Sequence, residues 1–228
     1  ARYTHETVAL AFAITEEAIE DNLYDRLASR YTKALARSMS NAKQVKSVEP
    51  LINGLPSTAT FNTGDGVSLF NASHPTIAGT FANTLAVQAD LNETSLEQSM
   101  IDIAKMTDER GLKVAARGVK MIVPSENQFN AERLMKSAGR TGTADNDINA
   151  IASMGMIPQG YRVNNFLTDA DSFYIITDVP NGMKYFNRAP LTTAMEGDFD
   201  TGNVRYKARE RYAFGASDYR GIFGVEGA

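Results

Sequence analysis

Residues 15–49 read TEEAIEDNLYDRLASRYTKALARSMSNAKQVKSVE and predict one long α-helix. The stretch contains neither glycine nor proline, and strong helix formers make up much of it. Thr15 suits the N-cap, and acidic residues follow it in the first turns, where the helix dipole favours negative charge. Pro50 is expected to end the helix. At about 1.5 Å per residue the rod is about 45–50 Å long, so it needs a surface on which to lie.

The apolar residues of this helix recur every four positions, at Ile19, Leu23, Leu27, Tyr31, Leu35 and Met39. Because an α-helix turns about every 3.6 residues, this stripe winds slowly around the rod and does not stay on one face. No heptad repeat persists, which argues against a coiled coil. The pattern favours a helix packed along one side of a sheet, with other flanks free for neighbouring molecules. One long helix in an ordinary core is the alternative.

The composition limits the class of protein. With 228 residues, 43% apolar and 22% charged, the chain can bury a substantial core in one large domain or two. The net charge of −4 argues against a general binder of nucleic acid or anionic membranes. The absence of cysteine excludes disulfides and thiolate metal sites. No apolar run approaches a membrane span, and because the sequence starts at Ala1 we expect further residues upstream.

The remaining segments predict a mixed α+β fold. Residues 1–14 alternate like a strand that leads into the long helix. Residues 51–90 are rich in Gly, Pro, Ser, Thr and Asn, so we expect them to be mobile or held by surfaces outside their own core. Capping-box spacing predicts two helices that begin at Thr94 and Ser125. Strands are predicted at 118–124, 161–166 and 173–177.

Residues 203–214 predict the clearest strand of the chain. One face carries Val204, Tyr206, Ala208, Glu210 and Tyr212, and the other carries Arg205, Lys207, Arg209 and Arg211. The four cations repel one another, and burial would remove their water. One interpretation is a solvated outer face. A second is a contact in which acidic groups of another subunit meet the cations, and a third, disfavoured by the net charge, is nucleic-acid phosphate.

Counter-charges for such a contact are present in the sequence. The candidates are Glu196, Asp198 and Asp200, or the acidic start of the long helix at Glu16, Glu17, Glu20 and Asp21. Opposite charges on two subunits would attract one another and fix their relative register. We therefore predict contacts between subunits at Glu16, Glu17, Glu20, Arg205, Lys207, Arg209 and Arg211.

No catalytic, cofactor or metal signature is recognisable in the sequence. His74 lies in a turn-rich loop, where it either staples the loop by hydrogen bonds, as we favour, or acts as a general base with Asp65 or Ser73. The segment Asp145-Asn146-Asp147-Ile148-Asn149 begins like a calcium loop, but Ala150 and Met156 replace the Gly and Glu that an EF-hand needs. An α+β enzyme centred on His74 stays open as an alternative function. So does a host- or carbohydrate-binding module, suggested by the nine tyrosines and the Asn-rich loops.

The order of the segments carries a resemblance to a known family. An arm leads into the long helix, and the motifs LFNASHP (69–75), VKMIVPSENQFNAERLMKS (119–137), DSFYIITDVPNGMKYFNRAP (171–190) and VRYKARERYAFGASDYRGIFG (204–224) follow. This arrangement resembles the major capsid protein of tailed bacteriophages, with the Hong Kong 97-type fold, and in particular its Mu-like head-subunit branch. The likeness spans nearly the whole chain, and it rests on the order and spacing of these segments, since no single motif is diagnostic.

The resemblance implies a division into parts. Its expected domains are 1–14 as the end of an extended loop, 15–90 and 184–214 as a peripheral domain with the spine helix, and 91–183 and 215–228 as an axial domain, with Thr141–Gly160 near the capsomer axis. The N-terminal arm and scaffolding segment that usually precede the extended loop are not visible in this sequence. The resemblance therefore does not extend to maturation cleavage or to an N-terminal arm that locks neighbouring subunits together. It also gives no basis for assigning a lysine–asparagine crosslink.

The resemblance also implies a function. It predicts a protein that self-assembles as hexamers and pentamers into an icosahedral shell around double-stranded phage DNA. Cement, portal and scaffolding proteins would be further partners, the DNA would be contacted non-specifically, and neither a cofactor nor a membrane would take part. The protein would reside in the virion after assembly in the host cytoplasm.

Overall fold

The computed structural model describes residues 2–21, 24–140 and 147–228. Its elements are β1 (Glu6–Ile14), α1 (Glu16–Glu20), α2 (Tyr24–Ile52), β2 (His74–Thr76), β3 (Gly79–Phe81), α3 (Glu93–Ala104), β4 (Gly118–Val123), α4 (Gln128–Lys136), α5 (Ala150–Met154), β5 (Tyr161–Val163), β6 (Phe173–Thr177), β7 (Met183–Gly197), β8 (Val204–Ala216), a 3₁₀ turn (Tyr219–Gly221) and β9 (Ile222–Val225). This mixture confirms the predicted α+β class. No helix within the described ranges is both long and apolar enough to cross a membrane.

The chain divides into two compact units. Residues 2–47 and 185–215 form the first, which we call the three-stranded unit, and residues 48–184 and 216–228 form the second, the four-stranded unit. We expected a peripheral domain to continue to residue 90, whereas residues 48–90 belong to the four-stranded unit. The names peripheral and axial stay a prediction for these units.

The three-stranded unit places a helix on a sheet. Its strands lie in the order β1-β8-β7, and β1 pairs antiparallel with β8 from Glu6↔Tyr212 to Ile14↔Val204. The core consists of Leu35 and Met39 of α2 with Ala208 of β8, and Val8 and Phe12 of β1 pack against them. The predicted packing of the long helix along one side of a sheet is therefore confirmed.

The predicted single helix over residues 15–49 differs from the structure at both ends. Helix α1 ends at Glu20, and Asp21, whose N–H donates to the Glu17 carbonyl at 2.9 Å, caps it; α2 begins at Tyr24. Of the predicted stripe, Leu23 lies outside the described residues, Ile19 and Leu27 are half-buried and Tyr31 is 44% exposed. Only Leu35 and Met39, 6% and 2% exposed, are buried members of the stripe in the described residues.

Pro50 does not end α2, which continues to Ile52. A proline inside a helix removes one N–H···O=C bond. The following residues compensate for that loss because Leu51 is buried and Ile52 packs against the same core, which also contains Leu55 and Phe70. Tertiary burial thus outweighs the local stop signal.

The four-stranded unit is built on a sheet that is covered on both faces. Its order is β5-β4-β6-β9, with β4 and β5 parallel and the other pairs antiparallel. Alternate residues of the strands enter two different cores: Phe173 and Ile175 of β6 face a core with α3 and α4, whereas Tyr174 faces a core with Val48 and Leu51. The strands predicted at 118–124 and 173–177 are confirmed as β4 and β6, and the one predicted at 161–166 is shorter.

The structure corrects both predicted capping boxes. Asn92, not Thr94, is the N-cap of α3: its Oδ1 accepts from the Ser95 N–H at 2.8 Å while Ser95 Oγ accepts from the Asn92 N–H at 3.0 Å. Helix α4 begins after Asn127 without a side-chain cap, and Ser125 instead hydrogen-bonds Glu126. Asn and Ser can accept hydrogen bonds from the unpaired N–H groups of the first helical turn just as Thr and Glu can. Residue spacing alone therefore does not identify which two residues form the capping box.

The turn-rich tract 51–90 contributes directly to the core of its own unit. Leu55, Leu69 and Phe70 are buried in the core that contains Tyr174, and Leu85 belongs to the other core. The expectation that this tract depends on surfaces outside its own core is therefore wrong. Its buried leucines and phenylalanine are too widely spaced to show a helical or strand period.

We predict that Leu35→Ala lowers the free energy of unfolding by about 2–4 kcal/mol, because it leaves a cavity in a small core. Leu27→Ala, on the same helix but half-buried, is the matched control and should cost less. Urea denaturation followed by circular dichroism measures both variants. Equal losses at the two positions would contradict the burial of Leu35 between helix and sheet.

Candidate contact surface

Strand β8 presents its cations to solvent. Along Val204–Tyr212 the burial alternates: Ala208, Glu210 and Tyr212 are buried, and Val204 and Tyr206 are half-buried. The intervening residues, Arg205, Lys207, Arg209 and Arg211, are all exposed. The predicted two-faced strand is confirmed, and its basic face points away from the core that contains α2.

Strand β1 leaves one side of this basic face uncrowded. In the β1–β8 register, Thr7, Ala9, Ala11 and Ala13 lie opposite Arg211, Arg209, Lys207 and Arg205. Directly paired residues of antiparallel strands share a face, so the cations run beside a row of small, uncharged side chains. A groove of ≈ 340 Å³ opens on this surface, between Ala11, Lys207 and Glu196. On the β1 side, a partner can therefore approach the cations without displacing bulky side chains.

One of the four cations has a partner within the chain. Arg205 forms an ion pair with Asp198, and the Thr201 hydroxyl donates to the same carboxylate at 2.8 Å. The Thr201 hydrogen bond first and Arg205 second lower the pKa of Asp198, against the effect of burial. Over the described ranges, no carboxylate lies within ion-pair distance of Lys207, Arg209 or Arg211.

The acidic candidates on α1 do not reach these cations. The Glu16 carboxylate lies against Gly202, in the turn between β7 and β8, where any added Cβ would collide with it. Glu17 and Glu20 are exposed and form no ion pair with any residue that the structure describes. Of the predicted contact residues, the structure therefore pairs only Arg205 within the described chain, and with Asp198.

The buried face of β8 contains a charge pair that the sequence did not predict. Glu210 is 3% exposed, and its Oε2 accepts from Lys43 Nζ of α2 at 2.8 Å. Lys43 Nζ also lies 5.4 Å and 5.2 Å from the ring centroids of Tyr185 and Tyr212. The hydrogen bond to Glu210 raises the pKa of Lys43, although burial opposes it. The sequence does contain a signal for this pair. Glu210 is the carboxylate on the otherwise uncharged face of β8, and a buried carboxylate needs a cation as its partner.

His74 is the centre of a second buried polar cluster. Its ring is 0% exposed, with Nδ1 2.6 Å from Asp65 Oδ2, Nε2 2.9 Å from Asn83 Oδ1 and Tyr219 stacked 3.8 Å away. The predicted stapling role of His74 is confirmed. The exposed Ser73 donates its N–H to Asn71, and the enclosed ring offers no atom to a substrate, so a general-base role lacks access.

The carboxyl group of Asp65 is held in its charged form. Burial opposes ionisation, but hydrogen bonds from the Thr63 hydroxyl and from His74 outweigh it and lower the pKa of Asp65. The charged group is therefore part of the folded structure at neutral pH.

The weak calcium-loop motif receives no structural support. Asp145 and Asn146 lie outside the described residues. The Asn149 side chain caps α5 by accepting from the Ala152 N–H, and it donates to the Leu134 carbonyl at 2.8 Å. Among the residues that the structure describes, no three His, Asp or Glu side chains converge to hold a metal ion.

Comparison with protein families gives a match over residues 1–225 to a family described as phage capsid protein. Among curated proteins the search finds no match.

Solved structures share the fold at low sequence identity. The capsid of Myoviridae phage XM1 is 13% identical, with 99% of this chain and 74% of that chain covered and a TM-score of 0.59. A chain from Mycobacterium phage Patience is 10% identical, with coverages of 99% and 71% and a TM-score of 0.63. A virus-like particle from Pyrococcus furiosus is 12% identical, with coverages of 97% and 76% and a TM-score of 0.53.

We predict that Lys43→Met lowers the free energy of unfolding by about 1–3 kcal/mol, because it leaves the buried Glu210 carboxylate without its partner. Lys207→Met is the matched control and should change stability by no more than about 0.5 kcal/mol, since Lys207 is exposed. Chemical denaturation at neutral pH measures both. A loss at Lys207 as large as that at Lys43 would refute the assignment.

We also predict an acid-sensitive contribution from Asp65. Because its pKa is lowered from the ordinary value of 3.8, its contribution to stability is complete above that value and is lost as the pH falls through the lower, folded-state pKa. In Asp65→Asn the denaturation midpoint should fall less steeply with acid than in the unmodified protein. Parallel acid profiles of the two proteins would show that Asp65 contributes nothing.

Proposed function

The chain belongs to the phage capsid protein family, and we propose that its copies assemble as hexamers and pentamers into an icosahedral shell around double-stranded DNA. The match over residues 1–225 carries this conclusion, and the fold is of the Hong Kong 97 type. As a major capsid protein, the chain is a structural component of the virion. The Mu-like branch stays a prediction.

The contact between subunits is the second part of the proposal. Three exposed cations on β8 and the exposed Glu17 and Glu20 on α1 have no ion-pair partners in the described chain. Copies of one chain that carry two complementary patches attract one another head to tail, which closes into rings when the rotation is right. We therefore place the basic face of one copy against α1 of the next. Asp198 is a weaker candidate because Arg205 already occupies it.

The packaged DNA is the third part. Because a net charge of −4 gives little overall attraction to phosphate, we propose that the shell encloses the DNA with weak, non-specific contacts and does not read its sequence. Assembly in the host cytoplasm, with cement, portal and scaffolding proteins as further partners, completes the proposal. The protein would act without a catalytic step or a cofactor, and the enclosed His74 ring supports that view.

We predict that the double reversal Arg209→Glu and Arg211→Glu reduces the yield of particles about tenfold or more while the subunit still folds, because both side chains are exposed. Sedimentation velocity and negative-stain electron microscopy measure assembly, and circular dichroism measures folding. The matched control is Lys113→Glu with Arg162→Glu, an equal charge change on exposed residues of the four-stranded unit. Normal particles from the Arg209/Arg211 double variant would refute the contact.

A charge swap tests the identity of the acidic partner. Adding Glu17→Arg and Glu20→Arg to the double reversal restores opposite charges and should restore particles. Particles from the unmodified chain but none from the swap would reject α1 as the partner and leave the capsid function intact. If the unmodified full-length product forms no particles under any condition, the shell itself is refuted.

A further inference from the structure

The side-chain amide of Asn83 has a fixed orientation. Its Nδ2 lies 2.7 Å from the Leu69 carbonyl, 3.1 Å from the Tyr219 carbonyl and 3.3 Å from the Ile222 carbonyl. Carbonyl oxygens only accept hydrogen bonds, so the group that faces them must be the NH₂. The opposite atom, Oδ1, accepts from the Asn71 N–H at 2.9 Å. A flipped amide would lose all of these bonds.

This orientation decides the state of one ring nitrogen of His74. Nε2 lies 2.9 Å from Asn83 Oδ1, an atom that only accepts. Nε2 must therefore carry a hydrogen. A bare Nε2 would place a lone pair against an oxygen inside a fully buried site, which is costly.

The other ring nitrogen faces a carboxylate. Nδ1 lies 2.6 Å from Asp65 Oδ2, while Asp65 Oδ1 accepts from the Thr63 hydroxyl and from the Val67 N–H. These two donors favour the charged form of the carboxyl group. A charged carboxylate only accepts, so Nδ1 must also carry a hydrogen.

We infer that His74 is an imidazolium in the folded protein and that its ion pair with Asp65 is a pH-sensitive clasp, which ties residues 61–83 to residues 219–224. The tie passes through Asn83, which holds the Leu69, Tyr219 and Ile222 carbonyls with its side chain and accepts from the Gly224 N–H with its own carbonyl at 3.1 Å.

The surrounding charges are compatible with a cation at this position. Tyr219 stacks on the His74 ring with an interplanar angle of 4°. The Arg220 guanidinium lies 4.7 Å from the Tyr219 ring centroid and is neutralised by Glu109 at 2.6 Å, with Asp218 at 3.4 Å. The charged and titratable groups around His74 are therefore Asp65, Tyr219, Arg220, Glu109 and Asp218.

The clasp has an acid limit. At low pH Asp65 takes up a proton and the ion pair is lost. The segment 61–83 should therefore open locally as the pH falls through the lowered pKa of Asp65.

A nuclear magnetic resonance experiment tests the protonation state directly. The chain contains two histidines, so His5→Gln leaves His74 as the single imidazole without touching the clasp. In the unassembled full-length subunit at neutral pH, long-range ¹H–¹⁵N spectra should show both His74 nitrogens with the chemical shifts of protonated nitrogens. One nitrogen with the shift of a bare, pyridine-like atom would overturn the inference.

Amide exchange tests the clasp. After correction for the intrinsic pH dependence of exchange, the amides of 61–83 should exchange about tenfold faster or more as the pH falls through the lowered pKa of Asp65. Asp65→Asn should speed their exchange at neutral pH, whereas the control Asp200→Asn, at an exposed turn, should not. If His74 were neutral, Asp65→Asn would remove a repulsion and slow the exchange. Slower or unchanged exchange in Asp65→Asn would overturn the clasp.

Discussion

The packing of α2 on β8 is the contact on which the three-stranded unit depends. Leu35 and Met39 meet the small Ala208, and because strand side chains alternate, this contact fixes the direction of every neighbour on β8. A shift of pairing by one residue would turn four cations toward the helix. Their burial without partners would cost far more than the hydrophobic contact gains. The apolar core and the exposed basic face are thus two results of one constraint.

The buried charges add selectivity to this packing. Lys43 with Glu210 joins α2 to β8 in one unit, and His74 with Asp65 fastens a long loop in the other. A buried ion pair contributes little net stability, because desolvation offsets the attraction. Breaking one is costly, however, since it leaves an isolated charge in an apolar site. The two pairs therefore disfavour any arrangement of helix, strand or loop that would separate their charges.

The sequence predicted the features that depend on periodicity. The alternation of β8, the strands β4 and β6 and the packing of the long helix on a sheet all appear in the structure. The sequence pattern placed two helix ends wrongly. Helix α2 runs through Pro50 because Leu51 is buried, and Asn92, not Thr94, caps α3. Most of β7 was not predicted, because its residues are largely exposed and show no alternation. The ion pair of Arg205 with Asp198 was also out of reach, since a sequence pattern shows faces but not which charges meet.

The position of β9 in the sheet links folding to protein synthesis. This strand comes from residues 222–225, yet it supplies Phe223 and Val225 to one core and Ile222 to the other. The Asn83 side chain likewise donates hydrogen bonds to the Tyr219 and Ile222 carbonyls, which lie more than a hundred residues further along the chain. A nascent chain cannot close either core until residues 222–225 emerge from the ribosome. A chain interrupted before β9 therefore leaves both cores open, which keeps such fragments from being built into a shell.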